Sequence, residues 1–186
     1  LDLMVSSALA TGPIVDLVSE FRRLHPKVTA RLGDLRAEEF TASVIHDGHC
    51  EFVVTHLPVE DEVGLEIIEL GQTEYWLAYP PGTDLPPGPL SLAELPDIPM
   101  VFVPRGGGSV SDAIDYAMRQ AEGGRPISVL TDHREARLPM VLAGLGGSFV
   151  ERSLAESAQD VAVVRPCEPT FAQSYGLVFD PASLSK

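Results

Sequence analysis

The chain has 186 residues and a mass of 20.0 kDa, enough for one large domain or two small lobes with a real core. Hydrophobic residues make up 45% and charged residues 22%, which excludes a disordered polar segment. The 13 Lys+Arg against 27 Asp+Glu give a formal charge of −14, which argues against a surface that grips phosphate backbones or anionic membranes.

Two cysteines, Cys50 and Cys167, make no disulfide framework and suggest a reducing compartment. No apolar run reaches the roughly 20 residues of a membrane span. The opening stretch has no basic start or cleavage signature, so no signal peptide is expected.

In chain order, residues 3–5 read as a short buried strand. Thr11 is the expected cap of a helix with Pro13 in its first turn. Ile14, Leu17, Val18, Phe21 and Leu24 then recur at helical spacing, and Pro26 stops the helix. Val28, Ala30 and Leu32 alternate as a strand does. A second helix is expected over residues 37–46, ending at the Asp47-Gly48 turn. Residues 52–55, 65–70 and 74–79 read as strands.

Residues 80–89 hold five prolines and two glycines, the mark of a loop. A helical turn at 91–95 and a buried strand at 100–103 follow. Ser109 or Ser111 is the expected cap of a helix carrying Ala113, Ile114, Ala117 and Met118. Further strands are expected at 127–130, 148–150, 161–164 and 175–178, with a helix over 134–142 ending at Ala143-Gly144. Strands alternating with helices imply mostly parallel pairing and an α/β fold.

Several chemistries can be weighed on residue type and spacing. His46, His49, Cys50, Glu51 and His56 are the densest set of metal-ligand types, but they straddle a helix end, a turn and a strand, so their side chains diverge from the tetrahedral convergence zinc needs. His49-Cys50-Glu51 matches half of a zinc deaminase signature. Its second half fails, because Thr170 stands where a cysteine is required after Pro166-Cys167. Two Gly-Gly-Ser runs, at Ser109 and Ser148, open like a nucleophile elbow but lack the closing glycine. No catalytic set, metal site or cofactor site is therefore expected, and the chain does not read as an enzyme.

Two loops read better as binding elements. Residues 105–108, Arg-Gly-Gly-Gly, leave a strand and enter a helix, where backbone N–H groups and the helix N-terminus favour an anion. Ser6, Ser7 and Thr11 occupy the corresponding place in the first half. Ligands of open α/β sheets sit outside the carboxyl ends of strands, so one such loop in each half suggests a cleft between two lobes.

The chain resembles the effector-binding domain of LysR-type transcriptional regulators over essentially its whole length. The resemblance rests on the opening strand Leu1-Asp2-Leu3-Met4-Val5-Ser6, on Phe21 through Pro26-Lys27-Val28, on Gly48-His49-Cys50-Glu51-Phe52-Val53-Val54, on Ser91-Leu92-Ala93-Glu94-Leu95 and on Val141-Leu142-Ala143-Gly144-Leu145-Gly146-Gly147. Two positions depart from the family pattern. Glu51 stands where it usually has Asp, and Glu151 where proline often follows the glycine turn.

The resemblance implies a two-lobed α/β fold of the type 2 periplasmic-binding-protein kind, with mixed sheets and helices on both faces. Lobe I would take residues 1–76 and 162–186, and lobe II residues 77–161. The effector would lie between them, held by Ser6, Ser7 and Thr11, with Gly33, Asp34 and His56 nearby, and by Val103, Pro104, Arg105 and Gly106, with Thr131 and Gly147 at the back. Arg105 and the three hydroxyl residues opposite suit a small carboxylate. The resemblance further implies a cytoplasmic homodimer or homotetramer whose first helix takes part in the contact. DNA would be bound only through an N-terminal winged helix-turn-helix outside this chain. A solute-binding protein of a transport system is the alternative reading, since it shares the fold.

Overall fold

The computed structural model describes residues 1–10, 12–35, 41–60, 62–103, 109–120 and 125–183, with the side chain of Ser109 excepted. It divides into two compact units. One holds residues 1–72 and those from 174 onward, the other residues 73–173.

The first unit begins with β1 (Asp2–Ser6), whose Leu3 and Val5 point into the core. Helix α1 (Pro13–Leu24) follows, with Pro13 in its first turn. Gly12, not Thr11, holds the cap position, and no side chain caps the helix. The helix ends as its sequence dictates: the His25 N–H donates to the Phe21 carbonyl, just ahead of Pro26. Strand β2 (Arg31–Leu35) lies later than the Val28–Ala30–Leu32 alternation suggests. Helix α2 (Thr41–His46) closes at the Asp47-Gly48 turn, where Gly48 takes a positive φ of 72°; that left-handed conformation is costly for a residue with a Cβ. Residues 36–40, the expected start of this helix, lie outside the described residues.

Strand β3 (Phe52–His56) is entered from a turn tied to β1: the Glu51 carboxylate accepts the Asp2 N–H at 3.1 Å, and the Glu51 N–H donates to the Asp2 carbonyl at 3.1 Å. Strand β4 (Glu66–Tyr79) is one 14-residue strand rather than the expected two. Gly71 does not turn the chain. A Cβ there would lie 3.1 Å from the Tyr175 hydroxyl, so this glycine serves a close side-chain approach.

The second unit adds β5 (Leu90–Ser91) and a 3₁₀ turn at Leu92–Glu94, where Ser91 Oγ accepts the Ala93 N–H at 3.3 Å. Then come β6 (Met100–Phe102), α3 (Ser109–Gln120) and β7 (Ile127–Leu130). Within the described residues α3 runs from Ser109, so Ser111 lies inside the helix rather than at its cap. The buried stripe of α3 is Val110, Ile114 and Met118, while Ala113 is exposed. A 3₁₀ turn, Arg134–Ala136, runs into α4 (Arg137–Leu142), which closes at Gly144 with φ 81°. Strand β8 (Ser148–Glu151), the unexpected short helix α5 (Arg152–Ser157), β9 (Val163–Arg165), β10 (Cys167–Glu168) and β11 (Phe171–Phe179) complete the chain.

In the first unit the sheet order is β2-β1-β3-β11-β4. Strands β1, β2 and β3 are parallel and β11 runs antiparallel to β3. In the second unit β8 and β9 both pair antiparallel with β4, while β6-β7 and β5-β10 are parallel. Pairing is thus mixed, because hairpin-like returns accompany the βαβ crossovers. The chain leaves the first unit within β4 and returns within β11.

Each unit has its own core. Leu3, Val5, Leu9, Ile14 and Val54 pack on one face of the first sheet, and Val44, Ile45, Cys50, Val53 and Val178 on the other. The second unit buries Tyr75, Leu77, Tyr79, Met100, Ile114 and Phe149 among others, with Phe149 edge-on to Phe171 at 5.7 Å. No helix among the described residues is long and apolar enough to cross a membrane.

Candidate functional site

Parallel strands bring their carboxyl ends to one edge, and the first unit follows this rule. The register sets Val5 beside Val54, so the next residues, Ser6 and Thr55, face each other and their hydroxyls are 3.0 Å apart. The chain then turns tightly, the Leu9 N–H donating to the Ser6 carbonyl at 2.8 Å. Leu9 is fully buried and pins that turn, leaving Ser7 exposed. His56 is one residue further along β3, paired with Tyr175 of β11. Ser6, Ser7 and His56 therefore share one edge, joined by Thr55, which sequence reasoning missed. Its signal was available: a hydroxyl residue at the matching end of the neighbouring parallel strand.

Gly33 and Asp34 lie within β2 rather than in a loop. Gly33 pairs with Met4, two residues short of Ser6, a distance of about 7 Å along a strand. It lines a different hollow, shared with Asp2, Arg31, Asp34, His49 and Cys50. Thr11 lies outside the described residues.

In the second unit Val103 follows β6 and Thr131 follows β7. The Thr131 N–H donates to the Phe102 carbonyl at 3.0 Å, so these two strand ends also lie side by side. The Thr131 hydroxyl accepts the His133 N–H at 3.1 Å, which shapes the turn into the 3₁₀ segment. Gly147 is at the other end of β6, bridged to Met100. A Cβ on Gly147 would lie 2.5 Å from Cε1 of Tyr79, so ring packing explains why glycine stands there. Pro104, Arg105 and Gly106 lie outside the described residues.

Beside Val103 the second unit holds a hollow of about 320 Å³, part of it open to solvent. It is lined by Tyr75, Val101, Phe102, Val103, Ser111, Ile114, Arg137, Ser148 and Phe149. Beneath it lies a buried ion pair. Arg137 donates to both Glu151 carboxylate oxygens at 2.7 and 2.9 Å, to the Phe149 carbonyl at 2.6 Å and to the Arg134 carbonyl at 2.9 Å. Sequence reasoning missed this pair, since an arginine and a glutamate 14 residues apart read as surface charges.

Among the described residues no three His, Cys, Asp or Glu side chains are placed to hold a metal ion. Cys50 is buried, and its thiol is pushed up by desolvation, which makes it a poor nucleophile. The arrangement offers hydroxyls, backbone groups and apolar walls, which is binding chemistry.

The sequence profile described as LysR substrate binding domain matches residues 1–186. No curated protein sequence matches the chain. Among solved structures, full-length CbnR complexed with its target DNA is similar at a TM-score of 0.79 and 19% identity, over 97% of this chain and 63% of that one. The chain thus spans under two thirds of CbnR. The OxyR2 regulatory domain from Vibrio vulnificus is similar at 0.74 and 20% identity, over 99% and 88%. The Synechocystis CcmR regulatory domain in complex with 2-PG is similar at 0.77 and 14% identity, over 100% and 89%. These likenesses establish the fold, two-lobed and of the periplasmic-binding-protein type.

Proposed function

Because the chain belongs to the LysR substrate binding domain family, we propose that it is the small-molecule sensing part of a cytoplasmic transcriptional regulator. The family match over the whole chain carries this reading. The neighbours described above are regulators rather than transport proteins, which favours sensing over solute transport.

In this reading the two units are the two lobes, and the effector is held by both. Ser6, Ser7, Thr11 and His56, with Thr55 beside them, act from the first. Val103, Pro104, Arg105, Gly106 and Thr131 act from the second. Gly33 and Gly147 stand apart from these edges, Gly33 beside Met4 and Gly147 beside Met100. A small carboxylate suits the set: Arg105 supplies the charge, and the start of α3 supplies backbone N–H groups.

The mechanism is a population shift. An effector moves a conformational equilibrium only by its differential affinity for the two states, and a swing from 1:99 to 99:1 needs a ratio of about 10⁴. The net charge of −14 fits a segment that stays off DNA and passes the shift to a separate DNA-binding domain.

The domain acts as a homodimer. Helix α1 exposes Leu17 and Leu24, which fall on one side of the helix, and the edge strand β2 exposes Leu32. Exposed apolar side chains on a helix and on an edge strand are the kind of surface that a second copy covers.

The test is calorimetric titration with benzoate, a minimal aromatic carboxylate. Arg105→Ala should weaken binding at least tenfold, and unchanged affinity would remove Arg105 from the site.

A further inference from the structure

Tyr75 in β4 is 2% exposed, and its hydroxyl has no hydrogen-bond partner among the described residues. A buried hydroxyl left unmatched costs about 1–3 kcal/mol, so such a group in a binding protein calls for an explanation. Tyr75 lines the hollow beside Val103, where Val101, Phe102, Ile114 and Phe149 supply apolar wall.

Of the other polar side chains that line the hollow, Ser148 and Arg137 are engaged, and Ser111 of α3 adds a neutral hydroxyl. Ser148 Oγ donates to the Val101 carbonyl at 2.9 Å. The Arg137 guanidinium is directed at Glu151 and at two backbone carbonyls. With its charge matched by Glu151, Arg137 is not a counterion for an incoming anion. A carboxylate pushed into this recess would lose its hydration for contacts with neutral hydroxyls only. An uncharged oxygen would not meet that penalty. Burial also pushes the Tyr75 phenol well above its ordinary range, so it keeps its proton and can donate. Within the hollow, the space that a water-sized group can enter matches about one ligand oxygen.

We propose that this hollow is a subsite for an uncharged hydroxyl or carbonyl oxygen borne on an apolar group, with the Tyr75 hydroxyl as its hydrogen-bond partner. This rests on the effector-sensing reading and sharpens it: the effector carries a neutral oxygen on its apolar portion, set apart from its carboxylate.

The probes are phenol and benzene, titrated into the whole chain labelled with ¹³C at the tyrosine ζ carbon. Phenol should bind at least tenfold more tightly than benzene and move the Tyr75 ζ resonance. Tyr75→Phe should abolish the preference while leaving benzene affinity unchanged. Equal affinities in the parent protein, an unmoved Tyr75 resonance, or a preference that survives in Tyr75→Phe would each overturn the subsite. The resonance is read on the parent protein, so the test stands even if the variant folds poorly. No effector is needed for this result. A failed phenol preference therefore sinks the subsite alone, whereas a failed carboxylate screen sinks the sensing reading.

Discussion

The guanidinium of Arg137 in α4 grips both carboxylate oxygens of Glu151 in β8, with the two side chains only 6% and 5% exposed. This pair clamps the helix to the strand that forms one wall of the second unit's hollow. Removing one member of a buried pair strands the other, at about 3–5 kcal/mol. Glu151→Gln should therefore lower the stability of the second unit by roughly that amount in urea unfolding. The double change Arg137→Met with Glu151→Leu should recover most of it, since a well-packed apolar pair is often neutral or better. A loss within experimental error for Glu151→Gln would show that the pair does not hold the wall.

Gly147 gives a second prediction. Its missing Cβ accommodates the Tyr79 ring, with Cε1 at 2.5 Å and Cδ1 at 2.7 Å from where that atom would lie. Gly147→Ala forces the buried ring to move, and overpacking of this kind costs about 1–3 kcal/mol. Gly144 has open space around it and a φ of 81°, so Gly144→Ala should cost about 1 kcal/mol through backbone strain alone. Thermal unfolding separates the two, and the order should reverse only if the ring shifts freely.

Alkaline pH should expose the buried acids of the second unit. Desolvation pushes the Cys167 thiol up to about 12, and pushes the Tyr75 and Tyr79 phenols upward as well. Each stays protonated in the folded protein after its unfolded counterpart has ionised. The unfolded state then binds fewer protons, so stability falls as pH rises. The contribution of Cys167 is fully present below the unfolded thiol value near 9 and is lost as pH climbs through the folded value. Unfolding temperatures measured from pH 7 upward should hold steady and then drop in this window. Cys167→Ala should make the drop shallower. An identical pH profile for the variant would remove the thiol from the account.

Much of the fold is legible in the sequence, and the misses have physical causes. The α1 periodicity, the Asp47-Gly48 turn and the proline-rich loop mark themselves because local geometry needs those residues. Strand β4 reads as two because Gly71 resembles a break, whereas the Tyr175 ring 104 residues later packs where its Cβ would be. The six-residue helix α5 is too short to show a period. Within the site, hydroxyl residues at strand ends can be read locally, which brings out Ser6 and Ser7. Thr55 needs the β1–β3 register, and the Arg137–Glu151 pair needs the packing of α4 on β8. Neither is written in neighbouring residues.

The exposed leucines of α1 and β2 make the oligomeric state testable. The protein should sediment as a dimer, and Leu17→Asp with Leu32→Lys should shift it to a monomer without loss of helical signal. Both side chains are more than two fifths exposed, so their replacement leaves the core intact. Unchanged sedimentation would place the contact elsewhere.

In the proposed function this chain senses a small molecule. The most direct measurement is a thermal-shift screen of the protein against small organic and aromatic carboxylates. A ligand at about 100 times its dissociation constant adds roughly 2.7 kcal/mol of stability, so a true effector should give a clear, saturable rise that Ser6→Ala and Arg105→Ala both diminish. A flat response across the panel, or a rise indifferent to both substitutions, would contradict the account.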